Sequence, residues 1–162
     1  MQVRFQTLPV TAAAFRSMPE FGFASPFQVA ALLIVAICAY PDNKDECYDM
    51  IDALKGPRKL STPDKQFIRD RMMGKSEYIG KAYFSGATPE NNYTPTIPYT
   101  IVVEESIHTY AEDGYAKVFI PTAGADTPRP VILREKGEQW FLWEFPGLLS
   151  DIRKPKADDP WA

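Results

Sequence analysis

Residues 25–41 read SPFQVAALLIVAICAYP, and the interpretation of that stretch decides the fold. Ser25 suits a helix N-cap, Pro26 fits the first helical position where its missing N–H costs nothing, and Gln28 stands where a capping box is completed. From Phe27 to Ala39 the only polar residue is Gln28, and Pro41 ends the run. A helix that is apolar on every side belongs in the middle of a fold rather than on its surface. At 13 residues the run is too short for a bilayer span, which needs about 20. It also fits a secretory leader poorly. The segment before it is long, aromatic and contains Glu20, no small-x-small cleavage site follows, and Ile37 precedes Cys38 where a lipoprotein signal calls for a small residue. The expectation is an interior helix in a cytoplasmic protein, with Cys38 and Cys47 as buried free thiols rather than a bridge.

On either side of this helix the pattern sorts into two halves. Asn43 offers a cap with Glu46 three residues on, and Cys47, Met50, Ile51 and Leu54 recur at helical spacing until Gly56-Pro57. A shorter helix is expected from Thr62 or Pro63 to Gly74, with Phe67, Ile68 and Met72 facing inward. The stretch from Tyr83 to Pro98 is rich in Pro, Gly and Asn and reads as a long connecting loop. Beyond it the period changes to alternation: a strand with Tyr99, Ile101 and Val103 on one face, another with Tyr115, Lys117 and Phe119, a third over Val131–Arg134 and a fourth over Trp140–Phe145. Leu148–Ile152 is a candidate fifth. The prediction is one α+β domain over 1–162, with N-terminal helices in about 1–82, a loop at 83–98, an antiparallel meander of four to five strands in about 99–153, and a polar tail at 154–162.

Composition narrows the function by exclusion. The formal net charge is −3 with both signs interspersed, so nothing attracts the chain generally to nucleic acid or to an anionic membrane. His108 is the only histidine, which removes multi-histidine metal sites and makes a catalytic dyad a poor bet. Glu104 and Glu105 are neighbours on a strand end and so point to opposite faces. There is no GxGxxG, no phosphate loop and no nucleophile elbow. No cofactor, metal or catalytic residue is assigned, and the balance leans away from an enzyme.

What remains is a surface. Arg129 and Arg134 fall near or on the third strand, with Asp126 close enough in sequence to pair with Arg129, and the neighbouring strand supplies Trp143. Arginine and tryptophan are the types enriched where proteins bind. The competing reading is that the aromatics are simply core. Tyr93 in the long loop is a second candidate, because long loops inside compact domains are often functional. The expectation is therefore an interaction or regulatory domain that contacts a protein or peptide through Arg129, Arg134, Trp143 and Tyr93. The alternative is a sheet curled round an apolar small-molecule pocket with Glu104 or His108 at its floor.

The segments SPFQVAALLIVAICAYP, FIRDRMMG, YFSGATPENNYTPTIPYTI, GADTPRPVILREKGEQWFLWEF and DDPWA together resemble an uncharacterised bacterial family, a domain of unknown function found mainly in Gram-positive anaerobes. The resemblance spans about Ser25 to the end and implies a bacterial, intracellular protein, with no site residues attached. At the level of architecture, helices followed by such a meander are similar to the cone-shaped folds related to nuclear transport factor 2, and the last strands to a small SH3-like barrel. Both are analogies of fold, and neither implies a function.

Overall fold

A computed structural model describes Met1–Ala162. At its centre lies the apolar helix, Pro26–Cys38, here α2 after a short α1 at Ala12–Arg16. The Ser25 hydroxyl caps it by accepting from the Phe27 N–H, and every residue from Val29 to Ile37 is buried. Gln28 does not complete a capping box. Its side-chain amide donates instead to the Glu20 carbonyl at 2.5 Å, tying the preceding segment to the helix. The amphipathic α3 (Lys44–Leu54) begins at Asn43, whose side chain accepts from Asp45 and Glu46, and buries Cys47, Met50, Ile51 and Leu54 against α2. α4 (Thr62–Met72) starts from a full capping box between Ser61 and Asp64 and buries Ile68 and Met72. Phe67 departs from expectation. It is exposed, with the Arg71 guanidinium 5.0 Å above its ring.

The strands are Gln2–Phe5 (β1), Tyr99–Val102 (β2), Tyr115–Ile120 (β3), Arg129–Lys136 (β4) and Gln139–Glu144 (β5), all paired antiparallel. β1 corrects the expected order of helices first and sheet last. It pairs with β2, Gln2 opposite Val102 and Phe5 opposite Tyr99, with Val3 and Phe5 buried. β3, β4 and β5 form a second sheet, and a single bridge between Glu104 and Phe119 joins it to the first. Leu148–Ile152 adds no strand. It makes a series of turns that still bury Leu148, Leu149 and Ile152. The polar tail is docked on the 83–98 loop, since Lys156 donates its N–H to Pro89 O and Ala157 to Asn92 Oδ1, both at 2.8 Å.

The fold is α+β, and it does not close into a barrel or cone. The inner face of the sheet, Ala116, Val118, Ile120, Val131, Leu133 and Leu142, is packed against α2. Helix and strand residues belong to one contiguous buried cluster. Glu104 and His108 both stand exposed on the loop after β2, so neither lies at the floor of an interior pocket. No helix is long and apolar enough to cross a membrane.

Both cysteines are free thiols. Burial raises the Cys38 thiol from its ordinary 9.0 to about 12, against a smaller opposing pull from Lys81, and raises Cys47 further. Burial likewise lifts Tyr48 and Tyr93 from 10.0 to about 12. Groups whose folded values exceed their unfolded ones contribute fully below the unfolded value and lose that contribution as pH climbs through the folded one. Thermal stability should therefore fall from about pH 9 upward, the thiols acting first and the phenols from about pH 10. Replacing both cysteines by alanine should move the onset about one pH unit higher. Melting curves from pH 7 to 11 check this, and a flat profile would contradict the assigned burial.

Candidate functional site

Two features of the backbone build a cleft on the outer face of the second sheet. The first is the end of α3. Gly56 takes φ +62°, a conformation that L side chains avoid, and a Cβ there would lie 2.8 Å from Phe141 Cδ1. The bend therefore folds flat onto β5 and delivers Lys55, Pro57 and Arg58 to the sheet. The second is a β-bulge. Leu133 faces Leu142 but Ile132 faces Glu144, so Trp143 is the extra residue on β5. Bulges re-aim side chains, and this one leaves Trp143 against the outer-face residues Tyr115 and Arg134, which are direct cross-strand partners.

Trp143 is the hub. The Arg58 and Arg134 guanidinium carbons lie 4.2 and 4.6 Å from its ring centroid, and Arg134 also reaches to 5.5 Å from Tyr115. The resulting cleft, about 590 Å³, is lined by Lys55, Arg58, Arg134, Lys136, Phe141 and Trp143 with Glu135 as its one carboxylate. A smaller one of about 210 Å³ adjoins it, shares Lys55, Arg58 and Trp143, and adds Asp64 and Glu144. Stacking on tryptophan holds a guanidinium in place while leaving its edge N–H groups free to bind.

Lys55 is the unusual member. Only 6% of it is exposed, yet its ammonium has a single long contact, 3.4 Å to the Trp143 carbonyl. Burial pulls its pKa below the ordinary lysine value; Asp64, Asp52 and Glu144 oppose that shift and Arg58 adds to it. No carboxylate comes within 4.0 Å of Lys55, Arg58, Arg134 or Lys136, since the only ion pair at that distance joins Arg153 to Asp126. Four cations thus converge without a direct counter-ion in a chain of net charge −3.

Of the residues singled out from sequence, Arg134 and Trp143 come together here and Arg129 and Tyr93 do not. Arg129 does not pair with Asp126, which is taken by Arg153; it donates instead to the carbonyls of Ser150 and Asp151 at 3.0 and 3.4 Å. Its role is to fasten the turns after β5. Tyr93 is fully buried, stacked on Tyr78 at 5.7 Å, and its hydroxyl donates to Arg153 O at 2.7 Å. The loop around it is held in shape by Asn91, which accepts from Thr88 and Thr94 and donates to Gly86 O. Tyr93 anchors the loop from inside and offers no surface. A further cleft, about 610 Å³ beside Thr88 and Arg153, mixes Glu90 and Asp159 with Arg153 and Lys154 and has no convergent charge.

Lys55 and Arg58 were not singled out from sequence, where the LKGPR stretch read only as a helix stop. Comparison with known families decides the affiliation. A family model described as Domain of unknown function (DUF6935) matches residues 7–156. The chain belongs to this family. The matched span of DUF6935 includes every residue of the cleft and leaves β1 outside it. No curated protein and no solved structure matches the chain. The DUF6935 description carries no activity.

Proposed function

We propose that this chain is a bacterial, cytoplasmic interaction domain that binds an acidic segment of a protein partner in the Lys55, Arg58, Arg134 and Trp143 cleft. The observation that carries the reading is the set of four cations with no carboxylate at bonding distance, two of them stacked on one tryptophan. Positive charge with no directly bonded counter-ion beside an aromatic platform favours an anionic ligand that also offers something flat or apolar to cover the ring. The cleft is open, with Arg58, Arg134 and Lys136 exposed, which suits an extended peptide better than an enclosed metabolite. Free thiols support the reducing compartment.

Titration calorimetry with a Glu-rich peptide carrying one aromatic residue tests the idea, with a Lys-rich peptide as control. Arg58→Ala and Arg134→Ala should each weaken binding by about 3- to 10-fold, as expected for open charge pairs. Lys55→Met should cost more, about 30-fold or beyond, because a buried charge loses its partner. Failure of every acidic peptide to bind at about millimolar concentration, the weak end of specific affinities, would falsify the assignment. So would binding indifferent to both arginines.

A further inference from the structure

The loop between β2 and β3 has the opposite character to the cleft. Residues 104–113, EESIHTYAED, carry Glu104, Glu105, Glu112 and Asp113 with no lysine or arginine. Ile107 at its centre is 94% exposed and Tyr110 54%. Yet the loop is built, not loose. Thr109 is buried, its hydroxyl accepts from the Ser106 N–H, the Ser106 hydroxyl accepts from His108, and Lys117 of β3 donates to Thr109 O. An ordered loop that holds an isoleucine almost wholly in water gains nothing from it within the monomer.

We propose that the acidic segment recognised by the cleft is this loop from a second copy of the chain. The proposal rests on the cleft reading above and names its partner. Charge complementarity carries it: four carboxylates on the loop meet Lys55, Arg58, Arg134 and Lys136, while Ile107 or Tyr110 supplies the apolar cover for Phe141 and Trp143. Placement makes the exchange reciprocal. The loop returns to the sheet at Gly114, whose carbonyl accepts from the N–H of Glu135 in the cleft wall, and the next residue, Tyr115, packs on Trp143 and Arg134. Donor and acceptor surfaces stand side by side on one molecule. A two-fold axis between two copies then seats each loop in the other's cleft and closes the assembly without free ends.

Sedimentation velocity from about 1 μM to about 1 mM, the range of weak to moderate association, tests this at low and high salt. The expected result is a monomer–dimer equilibrium that weakens with salt. Ile107→Glu, Glu104→Lys with Glu105→Lys, and Arg58→Glu with Arg134→Glu should each weaken it by about tenfold or more. All five side chains are exposed, so these variants should keep the parent circular dichroism. Mixing the loop-reversed and cleft-reversed proteins should restore the dimer. In the mixed pair one contact is native and the other pairs a basic loop with an acidic cleft. A protein that stays monomeric at the highest concentration, or a dimer untouched by these changes, overturns the second-copy proposal. The peptide EESIHTYAED, titrated into the Ile107→Glu protein, separates the two failures. If the parent protein stays monomeric at every concentration, binding of this peptide retains the cleft reading and removes the second copy, whereas no binding by this or any acidic peptide removes both.

Discussion

Leu33→Asp leaves no soluble, folded protein. Leu33 is fully buried in the middle of α2, with a buried apolar residue at every position from Val29 to Ile37 around it. No cation is available there to pair with an introduced carboxylate. Losing the leucine side chain forfeits about 1.5–3 kcal/mol of burial, and an unpaired buried charge costs several kcal/mol more even after relaxation. Together these rival the roughly 5–15 kcal/mol that holds a typical domain folded. The check is the soluble fraction on expression followed by a melting curve, with Leu33→Met as a control that should lose less than about 1.5 kcal/mol. Soluble Leu33→Asp protein with a sharp melt would show that α2 does not lie in the interior.

Tyr93→Ala is expected to lower stability by about 3–5 kcal/mol, as large-to-small changes at buried aromatic positions do. The side chain is fully enclosed, stacks on Tyr78 and closes the 83–98 loop over the turn at Arg153. Its removal leaves a cavity and takes away the hydroxyl donor to the Arg153 carbonyl. For a chain of this length a melting temperature roughly 10 °C lower follows, at about 2–4 °C per kcal/mol. Tyr93→Phe keeps the ring and should cost only about 1 kcal/mol, the net worth of one hydrogen bond. Calorimetric melts of both variants decide the matter. The conservative variant should bind acidic peptides like the parent, because Tyr93 lies outside the cleft; a selective loss of binding in Tyr93→Phe would return the residue to the functional surface.

The parts of the fold legible in the sequence are those whose signal is local. The α2 run, the caps at Ser25 and Asn43, and the glycines that end α3 and α4 with positive φ all follow from neighbouring residues. Alternation likewise marked β2 through β5. β1 went unread because QVRF offers only two inward side chains, too few to separate a strand from a coil without its partner about a hundred residues on. The site was half legible for the same reason. Arg134 and Trp143 are notable by type, but the bulge that turns Trp143 outward is a property of the pairing between β4 and β5. Lys55 and Arg58 reach the site only because Gly56 lies flat on Phe141. The expected Asp126 to Arg129 pair failed on similar grounds, since Arg153, distant in sequence, is the nearer partner in space.

The pairing of β1 with β2 also sets a timetable. Gln2–Phe5 leaves the ribosome long before Tyr99–Val102 exists, a delay of roughly 5–20 s at ordinary synthesis rates of about 5–20 residues per second. Through that interval Val3 and Phe5 have no strand beside them, and the most apolar helix of the chain has no sheet to cover it. The nascent polypeptide must be shielded until its second half arrives, so synthesis halted before residue 99 should yield a fragment that aggregates unless a chaperone holds it.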